Sequence, residues 1–240
     1  MADGKTGKVV ALRAVFFDLD GTLKPCRDPY HHIHYQLGFG EKTEQFARMF
    51  RQGEIDSDEW IRHDVALWQG VSRRHLVDYL REIPYTRGAV ELVRTLRSTG
   101  AITAVVSTGL QLHAELVQAD LDLNYALANE VVFEAGIATG EVVIHVHEAD
   151  KKSIVQRIIA TEGLCPDECM AVGDGESDIG MFESCRIGVA FRPTCNRVRQ
   201  AADLVIEEAC LANVLPAVCE LVPDWREQFA HDARWTLDHR

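Results

Sequence analysis

Ala14-Val15-Phe16-Phe17-Asp18-Leu19-Asp20-Gly21-Thr22-Leu23 sets four apolar residues directly against two carboxylates one residue apart, and then Gly-Thr. An apolar run bounded in this way reads as a strand buried on both faces, the usual strand of a parallel sheet. Side chains alternate along a strand, so Asp18 and Asp20 face the same side, roughly 6–7 Å apart at Cα. Gly21 lets the backbone turn sharply off the sheet. Two such acids repel one another and lose hydration unless a cation lies between them. In open α/β sheets, ligands bind at the carboxyl ends of strands, which is where this pair stands.

Downstream, residues 24–83 change character. Helical spacing replaces the β-branched runs: Phe46, Met49 and Phe50; Trp60, Ile61, Val65 and Trp68; Leu76, Val77 and Leu80. Ser57 and Ser72 are the expected N-caps. From Thr86 the chain alternates between helix and strand. Helices are expected over 88–97, 110–119, 151–161 and 179–184, and strands over 102–107, 169–172, 187–190 and 204–206. Short extended runs at 125–128 and 130–133 are followed by a hairpin of 131–133 with 141–144. The tail, with Trp225, Phe229 and Trp235, is expected to pack on the body as a helix. The architecture is therefore an α/β, doubly wound parallel sheet built from residues 9–23 and 85–222. A helical cap of 24–84 is inserted after the first strand, over the acids, and 223–240 forms the tail.

The 25 basic and 37 acidic residues among 240 give a formal charge of −12, which argues against a nucleic-acid or anionic-membrane surface. Residues 1–8 lack the apolar centre of a signal peptide, and no run approaches ~18 apolar residues, so a cytoplasmic location is expected. Seven cysteines without a C-x-x-C pair read as reduced thiols, with Cys165, Cys169 and Cys185 in or near the core. His31, His32 and His34 in the cap, and His145 and His147 on an extended segment, read as surface histidines, since no set has zinc spacing.

Three further strand ends carry chemistry. Ser107-Thr108-Gly109 offers a hydroxyl and turn amides where a helix is expected to begin, an anion site. Gly173-Asp174-Gly175-Glu176-Ser177-Asp178 offers more acids beside glycines. Lys151 and Lys152 open a helix, where the macrodipole disfavours cations. The order D-x-D-G-T, strand-Ser, Lys, G-D-x-x-x-D resembles the haloacid dehalogenase superfamily from Val15 to about Ile206. The wording around Asp174 looks like its phosphoserine phosphatase branch.

The resemblance implies a small phosphorylated metabolite as substrate and Mg²⁺ as cofactor. It casts Asp18 as the nucleophile that becomes an aspartyl-phosphate and Asp20 as general acid and base. Asp18, the backbone carbonyl of Asp20, and Asp174 would hold the metal, with Asp178 orienting a metal-bound water or Lys151. Ser107, the Thr108 amide and Lys151 would meet the phosphate. The cap departs from the branch: Arg27 stands where a Glu meets the substrate ammonium, Asp64 where an Arg meets its carboxylate, and Ser57 where a Phe is usual. Ser177 stands where Asn is common. Asp28 and Arg62 are near enough that a shift of register would restore the pair and leave a phosphoserine phosphatase. Phosphotransfer to an alcohol is a further alternative. A phospho-accepting receiver would be about half as long and would need no cap.

Overall fold

All four side chains of β1 (Ala14–Phe17) are buried, and they divide between two hydrophobic clusters. Val15 and Phe17 enter one face of the sheet, Ala14 and Phe16 the other. Alternation along a doubly covered strand demands this division. Truncating either Phe to Ala costs about 3–5 kcal/mol. The computed structural model describes residues 10–229.

After β1 the chain forms α1 (Pro29–Leu37), α2 (Gly40–Arg51), α3 (Ser57–Ala66) and α4 (Arg73–Arg81). It then continues through α5 (Ala89–Ser98), β2 (Ile102–Leu110), α6 (Gln111–Leu121), β3 (Tyr125–Glu134) and β4 (Ile137–Val143). The second half comprises α7 (Lys151–Thr161), β5 (Cys169–Gly173), α8 (Ile179–Phe182), β6 (Ile187–Phe191), α9 (Asn196–Ala201) and β7 (Leu204–Ile206), then α10 (Val214–Leu221) and α11 (Pro223–Phe229). The sheet order is β4-β3-β2-β1-β5-β6-β7, parallel throughout except for the β3–β4 hairpin. The chain winds outward from β1 through β2 and β3, then crosses back to β5 on the other side. The crevice between β1 and β5 is thus the topological switch point, where such sheets bind ligands.

Register brings the strand ends level. Phe17 lies opposite both Val105 and Val172, so Asp18 follows one residue short of Ser107 and Asp174. One sheet face is covered by α5, α6, α10 and α11, with Trp225 and Phe229 buried in the same cluster. The expected packing of the tail holds for this helix; Trp235 lies outside the described residues.

The segment between β1 and α5 gathers around Trp68, Leu76 and Leu80, which pack on Leu110, Leu112, Val131 and Ala138. Two backbone hydrogen bonds between Val71 or Gly70 and Ala138 tie it to β4. Three local expectations change. Asp56, not Ser57, caps α3: its carboxylate accepts from the Glu59 amide at 2.8 Å, and Glu59 accepts from the Asp56 amide at 3.0 Å. The two extended runs of 125–133 are one strand, β3. Finally, β2 runs on to Leu110 with its pairing shifted between Val106 and Leu110, so Ser107–Gly109 is a bulged strand end and not a helix N-terminus. A bulge re-aims side chains as a helix start would, but without the dipole.

Candidate active site

Lys151 Nζ sits 2.6 Å from Asp18 Oδ1 and 2.6 Å from Asp178 Oδ1, wholly buried among them. It reaches that point from the first turn of α7, a costly place for a cation that these two acids offset. Burial opposes the ammonium, yet the Asp178 and Asp18 charges outweigh it and hold Lys151 above its ordinary value. Burial pushes the Asp18 carboxyl well up, against the pull of Lys151. Lys152, the other lysine at the start of this helix, is exposed and pairs with Glu183.

Asp178 uses its other oxygen to accept from the Asp174 and Gly175 amides, each at 2.9 Å, so it fastens the β5 loop and Lys151 together. Carboxylate oxygens of Asp18, Asp174 and Asp178 lie within 4.8 Å of one another. Three buried, hard oxygen donors so close together, with one cation among them, fit a small divalent ion such as Mg²⁺. Burial and the Asp178 charge raise Asp174 to about 6, while Arg27 opposes the rise. Gly21, at φ +101°, is required here: a Cβ would collide with the Asp174 carboxylate.

The Asp20 carboxylate turns away from this group. Ser107 Oγ donates to its Oδ2 at 3.3 Å, and the Gly109 amide donates to Ser107 Oγ at 2.9 Å. A Cβ on Gly109 would strike Asp20 Oδ2, so the glycine admits the carboxylate to the bulge. The other oxygen, Oδ1, lies 3.0 Å from His113 Nδ1, on a fully buried ring of α6. Sequence reasoning missed His113, and it missed Asn129. The Asn129 amide donates to the Thr108 carbonyl at 2.8 Å and accepts from the His145 and Val146 amides at 2.9 Å, holding the bulge against the segment after β4.

A cavity of about 410 Å³ opens over the strand ends. Asp18, Asp20, Ser107, Thr108, Asp174, Ser177 and Asp178 line its core side, and Arg27, Asp28, Tyr30, Trp60 and Asp64 its helical side. Every expected site residue but Lys151 reaches the cavity wall, and Lys151 lies behind Asp18. Arg27 differs from its expected role as a free cation facing substrate: its Nε donates to Asp174 Oδ2 at 2.7 Å and its guanidinium to the Arg192 carbonyl. Arg62 is exposed and does not line the cavity.

Asp64 is buried, and burial with the Asp28 charge raises it to about 8. His34, expected at the surface, is also buried, bonded to Thr43 Oγ1 and the Asp64 carbonyl; burial lowers it to about 4. His145 and His147 are exposed and pair with Glu130 and Asp58. The cysteines are free: Cys169 is buried, Cys185 half-buried and, against expectation, Cys165 is exposed. No helix among the described residues is long and apolar enough to cross a membrane.

An α/β sheet with a buried Asp–Lys–Asp cluster at its switch point and a helical segment after the acid-bearing strand defines an aspartate-centred hydrolase. The chain belongs to the haloacid dehalogenase-like hydrolases, whose family model matches residues 15–183, and is a phosphatase of that family. It is 34% identical to a phosphoserine phosphatase of Lactococcus lactis over 85% of this chain and 94% of that protein. It is 31% identical to one of Archaeoglobus fulgidus over 90% of this chain, spanning 62% of that protein's length. Among solved structures, a phospho-aspartyl intermediate analogue of phosphoserine phosphatase superposes with a TM-score of 0.76 at 27% identity, covering 86% of this chain and 99% of that one.

Proposed function

We propose that this protein hydrolyses a small phosphomonoester, with Mg²⁺, through an aspartyl-phosphate on Asp18. The observation that carries the reading is the placement of Lys151 between Asp18 and Asp178, behind the cavity wall that Asp18, Asp174 and Asp178 form. In this reading residues 24–84 form a cap on a core built from 10–23 and 85–222, with α11 packed on the core; residue 9 and residues 230–240 lie outside the described residues.

An Asp18 oxygen attacks phosphorus, the ester P–O bond breaks, and the departing oxygen takes a proton from Asp20. Water then attacks the acyl phosphate, gives its proton to Asp20, and releases phosphate and the Asp18 carboxylate. Lys151 balances the charge on Asp18 and the transferring phosphoryl group, and Asp178 keeps Lys151 in place. The Thr108 amide and, when its proton turns from Asp20, the Ser107 hydroxyl would hold phosphate oxygens, with Ser177 on the same side of the cavity. Asp18, Asp174 and the Asp20 backbone carbonyl are the residues that would hold Mg²⁺, which when bound neutralises carboxylate and phosphate charge. Asp64 would face the leaving group from the cap, while Arg27, held by Asp174 and the Arg192 carbonyl, stands at the core end of the cavity.

The relatives favour phosphoserine itself as a second reading. That reading needs a cation for the substrate carboxylate, and Arg62, which a shifted register would supply, is exposed and off the cavity wall. Phosphate release from a panel of phosphorylated amino acids, sugars and small alcohols, with Mg²⁺ and with excess chelator, tests the proposal. Turnover that needs Mg²⁺ supports it; undiminished turnover in chelator after dialysis rejects it.

A further inference from the structure

The cap wall of the cavity contains polar atoms that the protein itself does not satisfy. Asp64 Oδ1, the Tyr30 hydroxyl and the Trp60 indole N–H are all buried, and none has a hydrogen-bond partner. Asp64 and Tyr30 are more than nine-tenths buried as whole residues. Leaving such groups unpaired is expensive in a folded protein, and at a cavity wall it marks where a ligand supplies the missing partner.

The character of the wall then narrows the ligand. Asp28 joins Asp64 there, and Trp60 lies against Phe50 with ring centroids 4.7 Å apart, so the surface combines carboxylates with aromatic rings. Acids and π-faces together attract a cation. The sole cation among the described lining residues, Arg27, is held at the core end by Asp174 and the Arg192 carbonyl. Among the described residues, no cation on the cap wall would balance the charge of a carboxylate.

We infer that the leaving group of the substrate is an amino alcohol: it carries an ammonium, which meets Asp64 and Tyr30, and no carboxylate. The inference rests on the phosphatase reading of the same site. Burial raises the Asp64 carboxyl to about 8, and an ammonium beside it lowers that value, so the carboxyl releases its proton to solvent and becomes half of an ion pair. His34, whose Nδ1 lies 3.8 Å from Asp64 Oδ1, is held neutral by burial and does not compete.

The test compares kcat/KM, with Mg²⁺, for 2-aminoethyl phosphate, 2-hydroxyethyl phosphate, phosphoserine and p-nitrophenyl phosphate. The amine ester should exceed its neutral isostere and phosphoserine by about tenfold or more, the range of a hydrogen bond to a charged group, mainly through KM. Asp64→Asn should bring the amine-to-hydroxyl ratio towards one; Tyr30→Phe should lower it in the same direction, which covers the case of an unstable Asn variant. Equal turnover of the amine and hydroxyl esters, or efficient turnover of phosphoserine, overturns the inference even if p-nitrophenyl phosphate is hydrolysed. No turnover of any ester, the aryl phosphate included, overturns the phosphatase reading as well.

Discussion

His113 Nδ1 lies 3.0 Å from Asp20 Oδ1 although the two residues are 93 positions apart. The ring's other nitrogen, Nε2, is buried without a partner, so the arrangement that wastes no donor carries the proton on Nδ1. His113 and Ser107 then hold the two oxygens of the Asp20 carboxylate in a fixed orientation. A hydrogen bond to a charged group contributes about 1.5–3 kcal/mol, or roughly 10–100-fold in rate if it acts only in the transition state. His113→Leu should lower kcat by that factor with little change in KM, and His113→Gln should recover part of it. A loss that follows thermal stability alone, without rescue by Gln, would make the contact merely structural.

Asp18→Asn should reduce phosphate release below about a hundredth of wild type, beyond what loss of acid–base assistance alone would cause at the low end of its ~10²–10⁴ range. Asp20→Asn should instead let the phosphorylated enzyme persist, visible by intact mass after rapid quenching. A phosphorylated Asp18→Asn protein would reject Asp18 as nucleophile.

Lys151→Met leaves Asp18 and Asp178 buried and facing each other without their shared cation. Breaking a buried pair in this way costs about 3–5 kcal/mol. The denaturant midpoint should fall accordingly, with activity lost. Lys152→Met removes only the exposed pair with Glu183 and should change stability by less than about 1 kcal/mol.

Asp64 gives the cap a pH signature. Its carboxyl rises from about 3.9 in an unfolded chain to about 8 here. A raised pKa contributes stability that is complete below the unfolded value and lost as pH climbs through the folded one. Wild type should therefore weaken between about pH 4 and pH 8 relative to Asp64→Asn, by on the order of 2 kcal/mol after relaxation. Urea midpoints of both proteins at pH 5 and pH 9 measure this; parallel values at the two pH values would contradict it.

Arg27 and a metal ion would compete for Asp174 Oδ2. Arg27→Gln removes a positive charge 2.7 Å from that oxygen, so half-maximal activity should need several-fold less Mg²⁺. A higher Mg²⁺ requirement in the variant would show that Arg27 supports the metal site and does not oppose it.

Local pattern alone was sufficient for much of this protein. The apolar run 14–17, the acids behind it and the glycines at 21 and 173 have few other uses, because strand burial, strand-end acids and sharp turns are written in neighbouring residues. The alternation after Thr86 follows from the same short-range periodicities, and Lys151 stood out by being in the wrong place on its helix. His113 and Asn129 carried no such mark. Each sits within an element whose apolar pattern already accounts for it, and their partners arrive only when β1, β2 and the segment after β4 come together. The same holds for Arg27, which a linear reading aims at substrate and the folded chain fastens to Asp174. Asp64, Tyr30 and Trp60 are the clearest case: whether a buried polar atom lacks a partner depends on every neighbour the fold supplies. The sequence by itself determined which backbone forms and which strand ends bear acids; tertiary structure decided which polar groups are satisfied and which remain open towards the cavity.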